Sequence, residues 1–148
     1  MYSKGIGAYQ QTGVLTADPK RLVLICYEEA IRNLKIAKEK YISRNYEEKA
    51  QALQKTHNFI SALDSALDVE KGGNIASNLR ALYNYMRHRL LEADLKKDLK
   101  AMDHIIWMLV ELKSAWEAIF NGQSKDMNPG LLHISDREKD TSRREMRI

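Results

Sequence analysis

The sequence predicts an all-α fold, an antiparallel up-down four-helix bundle, on three observations. Two prolines and seven glycines in 148 residues are too little punctuation for a fold of many short strands. Alanine, leucine, lysine and glutamate, all good helix formers, are abundant. Apolar residues recur at steps of three and four over long stretches bounded by start and stop signals. The length suits one domain around one core.

The first helix is expected over 19–42. Asp18-Pro19 opens it, Asp as N-cap and Pro at the first helical position, where a missing N–H costs nothing. Val23, Tyr27, Ala30, Leu34, Ala37 and Tyr41 form its seam. Asn45 with Glu48 three residues on predicts the cap of a second helix over 46–71. Its seam reads Tyr46, Ala50, Leu53, His57, Ile60 and Leu67, and Gly72-Gly73 is the expected stop. Asn74 is then the cap of a third helix over 75–95, with Ile75, Leu79, Leu82, Met86, Leu90 and Ala93 inward. The register breaks near Lys96, and Asp98 caps a fourth helix over 99–121, ended by Gly122. Its seam is Met102, Ile105, Leu109, Leu112, Trp116 and Ile119. Connections this short fold consecutive helices back antiparallel. Residues 18–122 are therefore the expected bundle. Residues 1–17 precede it, and 123–148 read as a polar, disordered tail, mixing charge, Ser and Thr with Asn128-Pro129-Gly130.

Composition narrows the function. No run of about 18 apolar residues occurs, so no helix is expected to enter a membrane. Residues 1–7 lack a basic stretch followed by an apolar one, so no cleavable secretion signal is expected. Cys26 is the only cysteine, which excludes an internal disulfide and points to a reducing cytoplasm. The net charge of +4 is thinly spread: residues 123–148 hold six basic and five acidic side chains, leaving an excess of three for the rest. Nucleic acid is normally met by a concentrated basic face, so it is not an expected partner.

Chemistry is equally hard to place. Di-metal bundles use Glu-x-x-His pairs, which put both ligands on one helical face. His57, His88, His104 and His133 are preceded three positions earlier by Gln54, Tyr85, Ala101 and Gly130, none a carboxylate. His57 reads as a core-edge histidine, and no metal or other cofactor is expected. Cys26 lies in an apolar run with no activating base in sight, so a small buried residue is its expected role. Gly5, Gly7 and Gly13 lack the strand and lysine of a nucleotide loop. Trp107 and Trp116 are expected as large core anchors. No catalytic residue is assigned, and an enzyme is not expected.

Apolar surface, by contrast, is in surplus. Residues 22–27 are apolar around the whole helix circumference. Val23 and Tyr27 face the core, while Leu24 and Ile31, seven apart, share another face. Ile106 and Val110 lie beside the main seam of the fourth helix. Periodicity leaves two readings open, a wide buried stripe and a binding surface for a partner. Ahead of Asp18, the glycine-rich segment 1–17 carries Tyr2, Ile6, Tyr9, Val14 and Leu15, more apolar bulk than solubility requires. Such a segment is suited to covering a groove and yielding it to an incoming amphipathic helix.

The order and spacing of several strings resembles the FliS family of flagellar export chaperones. They are Ala8-Tyr9-Gln10-Gln11, Thr16-Ala17-Asp18-Pro19, Leu63-Asp64 with Leu67-Asp68, Gly72-Gly73, Leu82-Tyr83-Asn84-Tyr85-Met86 and Ala115-Trp116. The likeness covers roughly residues 5–121. The resemblance implies a cytoplasmic bundle that binds the C-terminal segment of newly made flagellin and prevents premature polymerisation. It also implies delivery of that client to the export gate of the flagellar type III secretion apparatus. It gives the stretch around Tyr9 a gating role, with Ile6, Tyr9, Val14 and Leu15 as the cover and Leu24, Ile31, Ile106 and Val110 beneath the client. The tail from Gln123 is longer than the family pattern. Alternatives on the same sequence are an adaptor for another secreted client, a metal-binding bundle, a weak nucleic-acid binder, and weak self-association through exposed apolar faces.

Overall fold

The computed structural model describes residues 18–122. Four helices follow in chain order: α1 (Pro19–Ile42), α2 (Tyr46–Ser65), α3 (Val69–Lys96) and α4 (Leu99–Phe120), with no strand among the described residues. α1 packs on α2 and α4, and α3 packs on the same two, so chain order and spatial order agree around the ring.

The caps behave as their chemistry dictates. The Arg21 amide donates to Asp18 Oδ1 at 2.8 Å with Pro19 in the first turn. The Glu48 amide reaches Asn45 Oδ1 at 3.4 Å, and the Ala101 amide donates to Asp98 Oδ1 at 3.0 Å. Each satisfies a donor that the first helical turn leaves without a backbone partner. α1 closes through Asn45 N–H to Lys40 O (2.8 Å) and Arg44 N–H to Tyr41 O (3.1 Å), with Arg44 left-handed at φ 62°. Lys97 at φ 56° plays the same part after α3, where Asp98 N–H donates to Ala93 O at 2.9 Å. A left-handed lysine and the Asp98 cap make the sharp turn that no glycine or proline marks.

The second boundary differs from expectation. α2 does not run to residue 71 but ends at Ser65. Ala66 N–H bonds to the carbonyls of Ala62 and Leu63, tightening the last turn, and Leu67 turns into the core. Asp68 then caps α3 by accepting from the Lys71 amide at 3.1 Å. Gly73 does not stop α2; it kinks α3, at φ 58° and ψ −136°. That conformation is reached almost only by glycine. One turn of helix therefore precedes the kink, and the long part of α3 follows it.

The core seams of α1, α3 and α4 lie largely as read, but Tyr41, Leu112 and Ile119 are only half-buried, and on α3 Ala76 and Tyr83 take the inward positions expected of Ile75 and Leu82, which are half-buried. Val23, Tyr27, Ala30, Leu34 and Ala37 are buried with Leu79, Met86, Leu90 and Ala93, and with Met102, Ile105, Leu109 and Trp116. On α2 the stripe is shifted: Ala52, Leu53, Thr56, Phe59, Ile60 and Leu63 are inward, while Tyr46 and Ala50 are exposed. Tyr46 instead meets Tyr41 edge-on at 5.9 Å, with the Lys49 ammonium 4.9 Å from the Tyr41 ring. Thr56 fills an interior position because its hydroxyl donates to the Ala52 carbonyl at 2.9 Å.

At the centre, the hydroxyls of Tyr27 and Tyr83 lie 2.5 Å apart and the Trp116 indole N–H donates to Tyr27 at 3.0 Å. All three side chains are essentially sealed from solvent. Tyr27→Phe removes the partner of both the Trp116 N–H and the Tyr83 hydroxyl, whereas Tyr83→Phe removes a partner only from the Tyr27 hydroxyl, which still accepts from Trp116. Leaving buried groups unpaired gives expected losses of about 2–3 and about 1–2 kcal/mol respectively. Urea unfolding of the two variants checks the order. Backbone conformation gives a second pair of opposite sign. Gly73→Ala meets no neighbouring atom within 4 Å yet is expected to cost about 1–3 kcal/mol from φ/ψ strain. Arg44→Gly relieves strain and should add about 0.5–1 kcal/mol; thermal unfolding reads both.

Candidate functional site

α1 and α4 run antiparallel, as Lys38 Nζ to Asp103 Oδ1 at 2.7 Å and Lys20 Nζ 6.0 Å from the Phe120 ring show at opposite ends. Between them opens a groove of about 360 Å³. Its apolar lining is Ile31 from α1 and Val110 from α4. α1 adds Glu28, Arg32 and Lys35 to the rim, and α4 adds Lys113, Ser114 and Glu117.

Most of the rim charge is internally matched. Lys113 Nζ lies 2.9 Å from Glu117 Oε2 and 3.8 Å from Glu28 Oε2, and Arg21 Nη1 approaches Glu28 at 3.5 Å. Arg32 donates through Nε and Nη2 to the buried carboxylate of Glu29, at 3.2 and 2.8 Å. Asn33, also buried, donates to the Glu29 carbonyl at 2.7 Å. The polar atoms of α1 next to the groove are thus held in fixed orientations, so the wall is preformed.

Of the four side chains expected on a binding face, Ile31 and Val110 come together here. Leu24 and Ile106 do not line the groove; both are half-buried and pack against the core. Ile6, Tyr9, Val14 and Leu15 lie outside the described residues, as do segments 1–17 and 123–148 as wholes. The aromatic side chain that sequence reasoning misplaced is Trp107. Trp116 is the core anchor; Trp107 is 57% exposed and stacks on His104 with ring centroids 5.9 Å apart. It sits one turn before Val110, itself 41% exposed, so the outward face of α4 is apolar over two successive positions. The signal was available in the spacing, since Trp107, Val110 and Ser114 fall on one stripe distinct from Ile105, Leu109 and Trp116.

Burial, then the Glu29 charge, pushes the Cys26 thiol up to about 11, so it is protonated at neutral pH. Tyr83 is pushed up to about 12, chiefly by burial, and Tyr27 is raised well above the usual phenol range for the same reason. No group of three His, Cys, Asp or Glu among the described residues could hold a metal ion. No described helix is long and apolar enough to cross a membrane.

His57 is depressed below the ordinary histidine value by desolvation first and by Arg87 second, with Asp94 opposing. Below pH 6.5 the unfolded chain therefore binds the proton more readily than the folded one. Stability is expected to decline as pH falls through 6.5 and to level off beneath the folded-state value. His57→Gln should flatten that limb of a stability–pH curve measured by urea unfolding.

The sequence matches the family described as flagellar protein FliS over residues 2–123. It is 37% identical over 125 residues to the flagellar secretion chaperone FliS of Salmonella typhimurium, covering 80% of this chain and 93% of that one. Flagellar secretion chaperone FliSB of Pseudomonas aeruginosa is 35% identical over 124 residues, covering 80% and 98%. FliS of Bacillus subtilis is 28% identical over 119 residues, 80% and 88% of the two chains. A four-helix fold, a shared sequence pattern from end to end of the bundle, and this coverage lead to one statement: the chain belongs to the FliS family of flagellar secretion chaperones.

Proposed function

We propose that this protein is a non-enzymatic cytoplasmic chaperone that seats the C-terminal segment of unassembled flagellin on its α1–α4 face. The groove floored by Ile31 and Val110 carries the reading. It is apolar at its base, charged at its rim, and continued along α4 by the exposed Trp107. An amphipathic client helix lays its apolar positions into such a channel while its polar face stays in water. Buried Trp side chains are common anchors at such interfaces.

Occupying the client's polymerising segment prevents premature filament assembly, and the loaded complex is the form that reaches the export gate. Binding is coupled to folding of the client: apolar burial drives it, and ordering the segment limits the affinity gained per unit area. Leu24 and Ile106 take part at most at the margins, since neither lines the groove. Ile6, Tyr9, Val14 and Leu15 are proposed as the cover that the client displaces.

Val110→Asp places a carboxylate on the groove floor at a position exposed enough to spare the core. Losing that apolar contact should weaken binding of the flagellin C-terminal segment roughly tenfold or more. Calorimetric titration measures it, and far-ultraviolet circular dichroism verifies that helicity is retained. Ile31→Asp should act in the same direction with some loss of stability, because Ile31 also packs on the core. Unchanged affinity in both variants would remove this face from the reading.

A further inference from the structure

The rim of the α1–α4 groove is electrically lopsided. At one end, Glu28, Lys113 and Glu117 are linked to one another. Beside the floor, Arg32 is engaged by Glu29. Beyond the groove in the other direction, Lys38 is held by Asp103 at 2.7 Å. Lys35 is the exception: it is exposed, lines the groove, and makes no ion pair among the described residues. Glu39, one turn further along α1, makes no ion pair with it either. The acid of α4 closest in register, Asp103, is committed to Lys38. Counted over the lining, Arg32, Lys35 and Lys113 outnumber Glu28 and Glu117.

We infer that Lys35 is a specificity determinant: the segment that binds this groove is an amphipathic helix bearing an acidic side chain one turn from its apolar anchor. The geometry sets the spacing. Ile31 and Lys35 are successive turns of one face of α1, about 6 Å apart along the axis. A helix lying along the groove with an apolar residue on Ile31 and Val110 brings its i+3 or i+4 position, or the equivalent residue in the opposite direction, beside Lys35. An acid there meets the one rim cation that makes no ion pair among the described residues. A lysine or arginine there meets like charge and is disfavoured. This rests on the client reading above, and it adds the charge of the client and the position of that charge.

The test uses the full chain and the purified flagellin C-terminal segment, with client acids neutralised one at a time to Asn or Gln. Lys35→Ala should weaken binding about two- to fivefold at low salt, the range of an exposed ion pair, and the difference should shrink as ionic strength rises. Lys35→Glu should weaken it further, and Lys35→Arg should retain it. One client acid should lose its effect when Lys35 is already Ala, and changing that acid to Lys should restore binding to Lys35→Glu. If the unaltered chain binds the segment and Val110→Asp disrupts it, but Lys35→Glu binds normally, the inference falls and the client reading stands. If the unaltered chain fails to bind the segment at all, both fall.

Discussion

Three side chains from three helices meet at the Tyr27 hydroxyl, and the arrangement of the bundle depends on that meeting. Tyr27 comes from α1, Tyr83 from α3 and Trp116 from α4. Buried hydroxyl and indole groups need partners, and the cost of leaving them unpaired exceeds the net gain of an ordinary hydrogen bond. Sliding any one of these helices by a turn would separate the groups, so the network opposes wrong registers more than it strengthens the correct one. Burial keeps both phenols protonated far above neutral pH. The network is therefore neutral, and avoids the desolvation that a buried ion pair would carry.

α2 takes no part in that centre and is fixed differently. It packs on α1, and both helices bring short side chains to the core, Ala30 and Ala37 from α1 and Ala52 from α2. Short side chains let two helix axes approach closely. Polar links then fix its ends relative to α3. At one end Lys49 Nζ meets Asp94 Oδ1 at 2.6 Å, and the same Asp94 is tied to α1, its carbonyl accepting from the Tyr41 hydroxyl at 2.8 Å. At the other, Asp64 receives Arg80 at 3.0 Å and Arg87 at 3.6 Å. Partly exposed pairs of this kind add little stability. Placed at both ends of an antiparallel pair, they discriminate against alternative registers.

Three of the four helix starts were legible in the sequence, because a cap is a local interaction between a side chain and an amide three residues away; the third was read at Asn74, whereas Asp68 is the cap and Asn74 lies within α3. Asp18, Asn45 and Asp98 could each be read without knowing the fold. The end of α2 could not. Gly72-Gly73 is a strong stop signal and Asp68 a modest start signal, and the choice between them is made by Leu67, which turns inward only because a core is there to receive it. The shift of the α2 stripe has the same origin: Tyr46 suits a seam by spacing, yet finds its partners in Tyr41 and Lys49 at the bundle's end. Trp107 was misread by residue type, since a tryptophan at helical spacing is usually core, and only its place on the Val110 stripe argued otherwise. That Ile31 and Val110 meet is a tertiary fact, set by the antiparallel register of α1 and α4.

That register also explains why a groove exists where it does. Tyr27 and Trp116 are joined at 3.0 Å and fill the space between α1 and α4 at their own level. Glu28 on one helix, with Lys113 and Glu117 on the other, flanks this bridge, and the groove opens beside it. One turn along, the facing residues are Ile31 and Val110, aliphatic side chains that reach less far than an indole and a phenol. On the inward side of the same two helices Leu34 and Leu109 are fully buried, so the interior is closed where the outer face is open. The network therefore sets which residues of α1 and α4 face each other, and that register leaves Ile31 and Val110 opposite one another on the outer side of a packed interior.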